Sequence, residues 1–206
     1  MSLTIYGMPA SRTFRCLWAA HELGLAYESV PYSFLGPETK EAAYLAINPN
    51  GTIPAIVDDG FPLFESLAIN LYLARKAGRL WPPGLHAEAQ VLQWSFWAAT
   101  EVEPWLGAWF YHTTFLPPAD RKAEVAAEAA AKLPKRLAVL DKALAGRQYL
   151  VGDAFTIADL NVAAVAFRAP QFGLDPYPNV KGWHARCFDR DGARAAIALR
   201  EAKKAA

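Results

Sequence analysis

Asn48-Pro49-Asn50-Gly51-Thr52-Ile53-Pro54-Ala55-Ile56-Val57-Asp58-Asp59-Gly60, running on through Phe64-Glu65-Ser66, is the stretch on which the reading of this chain turns. Residues 53–57 and 61–64 are short β-prone runs flanking the turn-forming Asp58-Asp59-Gly60, so they are expected to pair as an antiparallel hairpin. Pro54 stands at the start of a strand, where it cannot donate to the ladder. Its peptide bond is expected to be cis, with Ile53 presenting both backbone groups to a ligand. Glu65 and Ser66 then open a helix, placing a carboxylate, a hydroxyl and free amide N–H groups together. That combination suits a ligand carrying both an ammonium and a carboxylate, as the end of an α-amino acid does. Alone, Pro54 is a strand-edge proline and Glu65-Ser66 an ordinary helix start; together they point to a site.

Upstream, residues 3–6 form a β-prone run halted by Gly7 and Pro9, after which Phe14, Leu17, Trp18 and His21 recur at helical spacing up to Gly24. Residues 27–32 alternate as a second strand, followed by a helical turn around 42–46, which completes a βαβ unit with parallel strands. A helix from Glu65-Ser66 to Gly78 closes the first half in the order β-α-β-α-β-β-α. Leu80-Trp81-Pro82-Pro83-Gly84 reads as a stiff linker, and nothing beyond it reads as sheet. Residues 87–111 and 119–146 are long helical patterns, the second carrying Pro134 as an expected kink or break. Thr156-Ile157-Ala158-Asp159 resembles a capping box with Asp in place of Glu, opening an apolar helix fit for the centre of a bundle. Further helices are expected over 180–189 and 193–204. The division is a 1–78 α/β domain and an 86–206 all-α domain.

Composition narrows the classes. An apolar fraction of 53% with 20% charged residues is that of a globular chain, and a formal net charge of +1 leaves no electrostatic footprint for nucleic acid or an anionic membrane. Cys16 and Cys187 have neither metal-site nor C-x-x-C spacing and read as reduced thiols; His21, His86, His112 and His184 show no ligand spacing, so no metal is implied. The first residues lack the charged head and apolar run of a signal peptide, and no apolar segment approaches the length of a spanning helix, so the expected location is cytoplasmic.

The segment from Asn48 to Ile69, with its N-P-x-G-x-I-P and Glu65-Ser66-Leu67-Ala68-Ile69 elements, resembles the glutathione site of the cytosolic glutathione S-transferases, and the 156–159 box resembles that family's second-domain signature. The resemblance implies a thioredoxin-like α/β N-terminal domain plus an all-α C-terminal helical bundle, and a homodimer. It implies glutathione as co-substrate, held by Lys40, Thr52, Ile53, Pro54, Glu65 and Ser66. Lys40 lies where phi-like members carry a lysine near the glycine carboxylate, although an isolated lysine is also simply solvated. Thr52 stands where the family often has glutamine. Ser11, in Ser11-Arg12-Thr13-Phe14-Arg15, has the S-x-x-x-R spacing of the serine-type (theta- and phi-like) members, in which the serine hydroxyl donates to the glutathione sulfur. The alternatives are that Ser11 is a plain helix cap and that Tyr6, near the end of the first strand, is the donor; Cys16 comes a turn too late and reads as core. Trp105, Trp109 and Phe110 are candidates for an apolar second-substrate pocket, or else bundle core. The expected activity is glutathione transfer to an apolar electrophile, with peroxide reduction, isomerisation or a non-catalytic binding module as alternatives.

Overall fold

Leu3–Tyr6 forms β1, in which Leu3 and Ile5 are buried while Thr4 and Tyr6 are half-buried, the alternation of a strand with one face on a core. It is one of the two inner strands of the sheet in a computed structural model that describes residues 2–202. β2 (Glu28–Val30) pairs parallel to β1, with Thr4 opposite Glu28. On the other side β3 (Ala55–Asp58) runs antiparallel, Ile5 opposite Ile56, and β4 (Phe61–Phe64) closes the order β2-β1-β3-β4. Pro62 is tolerated because β4 is an edge strand. The β3–β4 turn has φ 49° at Asp59 and 85° at Gly60, the double left-handed geometry that matches hairpin twist.

Packing separates two units: residues up to Trp81 together with those from Phe188 on, and Pro82–Cys187. In the first, α1 (Thr13–Leu23) is buried on nearly every side, packed against α3 (Ser66–Ala77) and against the C-terminal α10 (Asp191–Ala202). Arg190, just before α10, makes a two-pronged ion pair to Glu22 at 3.0 and 2.8 Å, and the Trp18 indole donates to the same carboxylate. Asp58, at the end of β3, accepts from the Tyr72 hydroxyl at 2.7 Å and the Lys76 ammonium at 2.6 Å, fixing α3 to the hairpin. A short α2 (Ala42–Leu45) follows a 3₁₀ turn at Pro37–Lys40.

The second unit is helical: α4 (Leu85–Trp97), α5 (Glu103–Phe110), α6 (Ala123–Ala143), α7 (Ile157–Val165), the single turn α8 (Ala169–Phe172) and α9 (Pro178–Phe188). α7 is buried along its whole length. Its capping box is formed, and Asp159 also accepts from the Leu150 amide at 2.8 Å and the Trp183 indole at 2.9 Å. One buried carboxylate therefore joins the preceding loop, the start of α7 and α9. Asp141 of α6 does similar work on the first amides of α9, accepting from Asn179 and Val180.

The expected thioredoxin-like sheet unit and all-helical unit are both present. Several boundaries differ. The helix expected over 87–111 is interrupted by a π turn at Ala98–Val102, because Pro104 has no N–H for the carbonyl four residues back; the Glu103 amide bonds Ala98 instead. Pro134, expected to kink or split its helix, lies inside an unbroken α6. β2 is shorter than the 27–32 run. The helix expected over 193–204 begins earlier, at Asp191, and belongs by packing with the first unit rather than with an 86–206 domain, since its buried face meets α1. Lys203 and Lys204 lie outside the described residues. Among the described residues no helix is long and apolar enough to cross a membrane.

His184 on α9 is buried, with Nε2 3.2 Å from the Ala166 carbonyl, and burial pushes its pKa down to about 4. A folded-state value below the ordinary one of about 6.5 means that the unfolded chain binds more protons in between, so stability is lost as pH falls through that window. Between pH 7 and pH 4.5 the expected loss from this residue is about 2–3 kcal/mol. Urea unfolding of wild type and His184→Gln at both pH values checks it: the variant should show a correspondingly smaller acid destabilisation.

Candidate functional site

The 48–54 loop is held from beneath. Asn48 is buried; its Nδ2 donates to the Thr52 carbonyl at 2.7 Å, and its Oδ1 accepts from the Asn50 amide at 3.0 Å. The Tyr44 hydroxyl donates to the same Thr52 carbonyl at 2.7 Å. Lys40 Nζ donates to the Gly51 carbonyl at 2.8 Å, which places this lysine on the loop rather than free in solvent. The Thr52 side chain is exposed. The Ile53–Pro54 bond is cis, as expected. The Ile53 side chain packs in a cluster with Tyr44 and Ala55, and no described residue makes a backbone–backbone hydrogen bond to its N–H or C=O.

Gly7 brings this loop to the start of α1. Its φ is 129°, outside the range of ordinary L-residues, and a Cβ there would lie 2.1 Å from Thr13 Oγ1 and 3.0 Å from the Ile53 Cβ. Ser11 precedes the helix. Its hydroxyl donates to the Met8 carbonyl at 2.7 Å and lies 2.9 Å from Thr13 Oγ1, and its oxygen accepts from the Thr13 amide at 3.1 Å. Arg12 occupies the N-cap, so Ser11 sits one residue further out than a plain cap while still satisfying the first helical amide.

Glu65 is exposed, with φ 71° and ψ 109°, a strained backbone for a non-glycine residue immediately before α3. Ser66 beside it is buried; its Oγ accepts from Arg15 Nη1 at 3.2 Å, which leaves the hydroxyl hydrogen to donate. Its carbonyl is met by the Cys16 thiol at 3.8 Å. Cys16 is buried, and burial pushes its thiol up to about 12 despite the neighbouring Arg15, so it is no ready nucleophile. Arg15 thus links α1 to Ser66 at the start of α3, Ser11 lies just before α1, and Thr52, Ile53 and Pro54 belong to the loop that Lys40 holds at Gly51 and that meets Gly7 through Ile53.

Tyr6 is half-buried in a trio of rings, with centroids 5.7 Å from Tyr32 and 5.8 Å from Tyr44, and burial raises its pKa. In the second unit, the α5 aromatics each have a partner. Trp105 lies under Lys132 and Arg136, Trp109 stacks edge-on with Phe172, and Phe110 is covered by the Arg168 guanidinium. The sequence reading did not single out Gly7, Thr13, Tyr44 or the bond from Arg15 to Ser66. Gly7 was visible as the break after β1; the others depend on contacts between residues far apart in the chain or on a hydroxyl's direction.

Two family models cover most of the chain: Glutathione S-transferase, N-terminal domain, over residues 1–75, and Glutathione S-transferase, C-terminal domain, over residues 108–191. Elongation factor 1-gamma of Danio rerio is 36% identical over 91% of this chain and 44% of its own length. Glutathione S-transferase 1 of Zea mays is 34% identical over 96% of each chain. A solved structure of glutathione S-transferase-I bound with lactoylglutathione superposes with a TM-score of 0.86 at 33% identity, covering 96% of this chain and 99% of that one. The chain spans slightly less than half of the elongation-factor relative but nearly all of the maize transferase.

Gly7→Ala should be poorly tolerated for two separable reasons, the backbone angle and the collision with the Thr13 side chain. The expected loss of unfolding free energy is about 2–4 kcal/mol. Urea denaturation measures it, and a loss below about 1 kcal/mol would mean that the loop and helix start move apart freely.

Proposed function

The chain belongs to the glutathione S-transferase family, and from that premise we propose that it is a serine-type, theta- or phi-like transferase that conjugates glutathione to an apolar electrophile. The observation that carries the proposal is the meeting, at Gly7, of the Ser11–Thr13 helix start with Ile53. A cysteinyl residue paired with the Ile53 backbone in the manner of an added strand has its sulfur directed to that helix start. Ser66 donates its hydroxyl to the γ-glutamyl carboxylate, Glu65 takes the ammonium, and Lys40, with two donors beyond the one on Gly51, serves the glycine carboxylate beside Thr52 and Pro54.

The chemistry needed is thiol activation. A free thiol titrates near about 8.5, and lowering that by about two units takes about 2.7 kcal/mol of preference for the anion. One charge-assisted hydrogen bond contributes about 1.5–3 kcal/mol, and the positive end of α1 about 0.3–1 kcal/mol. The Ser11 proton points to the Met8 carbonyl, and in this reading it turns to the sulfur of bound glutathione. The proton released by the thiol passes to water, and the thiolate attacks the electrophilic carbon, forming the carbon–sulfur bond as a leaving group such as halide departs to water. Tyr6 is less suited to the role, being engaged in its ring cluster at the strand end. We assign the second substrate to Trp105, Trp109 and Phe110 of α5, and the working assembly to a cytoplasmic homodimer that needs no metal.

A second reading has one observation in its favour, the similarity to elongation factor 1-gamma. There the fold would serve as a non-catalytic module. A turnover assay with a panel of aryl halides and peroxides separates it from the transferase and peroxidase readings.

Ser11→Ala should leave the glutathione Kd nearly unchanged while raising the bound thiol's pKa by about one to two units, because one charge-assisted hydrogen bond is lost. Ultraviolet absorbance of the bound thiolate against pH reads this directly, with Tyr6→Phe as the comparison; a shift with Tyr6→Phe alone moves the role to Tyr6. Ser66→Ala should cost about 1–3 kcal/mol of glutathione affinity by titration calorimetry. Undiminished affinity would remove Ser66 from the site.

A further inference from the structure

Ser11 Oγ is saturated with hydrogen bonds, and the direction of each can be assigned. It lies 2.7 Å from the Met8 carbonyl oxygen, which has no hydrogen to give, so the single Ser11 hydroxyl hydrogen points there. The 2.9 Å contact with Thr13 Oγ1 must then run the other way, with Thr13 donating to Ser11. The Thr13 amide donates to the same oxygen at 3.1 Å. Ser11 Oγ therefore accepts two hydrogen bonds from Thr13 and donates one.

This arrangement leaves the donor free to change partners without cost elsewhere. The Met8 carbonyl also accepts from the Ser11 amide at 3.1 Å, so it stays satisfied when the hydroxyl turns away. Thr13 is wholly buried, and its hydroxyl occupies the space that a side chain on residue 7 would fill. The absence of a side chain at Gly7 thereby leaves Thr13 Oγ1 the space it occupies beside Ser11. A hydroxyl that accepts from another hydroxyl is polarised and becomes a stronger donor in turn.

We propose that Thr13 is the positioning residue for Ser11: its hydroxyl and amide fix the serine oxygen at the start of α1 and strengthen the hydrogen bond that Ser11 gives to a bound thiolate. The inference rests on the assignment of Ser11 as thiolate donor. Thr13 itself touches no substrate; it acts only through Ser11.

The test uses glutathione as probe and the full chain in four forms: wild type, Thr13→Val, Thr13→Ser and Ser11→Ala. Valine keeps the shape of threonine and removes the hydroxyl; should valine not be accommodated at this buried position, Thr13→Ala removes the same group. Ultraviolet absorbance of bound thiolate is followed against pH, with kcat and the glutathione Kd measured alongside. Thr13→Val should move the titration midpoint upward by about half a unit and lower kcat about threefold below it, with Kd unchanged and Thr13→Ser restoring both. A Thr13→Val midpoint equal to wild type, while Ser11→Ala is shifted, overturns the inference and leaves the donor assignment standing. A shift that Thr13→Ser does not restore also overturns it, since the methyl group and not the hydroxyl would then matter. If Ser11→Ala is unshifted as well, or wild type binds no thiolate, the proposed function fails and this inference with it.

Discussion

A guanidinium buried under the first turn of α1 constrains the whole first unit. Arg15 is almost fully out of solvent, and a buried charge is tolerated only where its donors are met. One of them is met by Ser66 Oγ, the first residue of α3. Because Cys16 approaches the Ser66 carbonyl from the next position, α1 and α3 cannot slide against each other without uncovering several polar groups together. The sheet follows from this: β1 leads into α1 and β4 leads into α3, so fixing the two helix starts fixes the strand ends that carry Gly7 and Glu65. The strain at Glu65 is the local cost of turning from β4 into a helix whose first residue is already committed.

What the sequence revealed and what it concealed divide along physical lines. The β3–β4 hairpin was legible because Asp59-Gly60 is a turn with one geometry, and the start of α7 because Thr156 and Asp159 satisfy each other within a single turn. Local hydrogen bonding leaves local signatures. The role of Asp159 beyond its own helix was not legible, since its bonds to Leu150 and Trp183 depend on chain brought from elsewhere. The same limit hid Arg15 on Ser66, 51 residues away along the chain. The placement of α10 was concealed for a related reason: its amphipathic pattern states that one face is buried, and says nothing about which helix covers it.

Membership of the family leaves open which of its trades this chain follows, because the same framework occurs in conjugating enzymes and in elongation factor 1-gamma. The residues that separate those trades are few. The proposed thiolate donor would matter only to a conjugating enzyme, and at that position the Ser11 and Thr13 hydroxyls lie 2.9 Å apart before α1. Thr13 beside Ser11 is buried, as is Ser66 beside the exposed Glu65.

The π turns around α5 alter how this part of the chain should be compared with its relatives. A π turn accommodates one residue more than the α-helical path between the same two points, and one residue corresponds to about 100° of rotation about the axis. With such turns at Ala98–Val102 and Tyr111–Phe115, the aromatic helix is phased independently of α4 before it and of the chain after it. A helical wheel drawn continuously from 87 to 111 would therefore assign Trp105, Trp109 and Phe110 to the wrong faces. An ungapped alignment to a relative with a regular helix there would pair inward residues with outward ones. A single-residue gap near 98–102 restores the register against a relative whose helix is regular there.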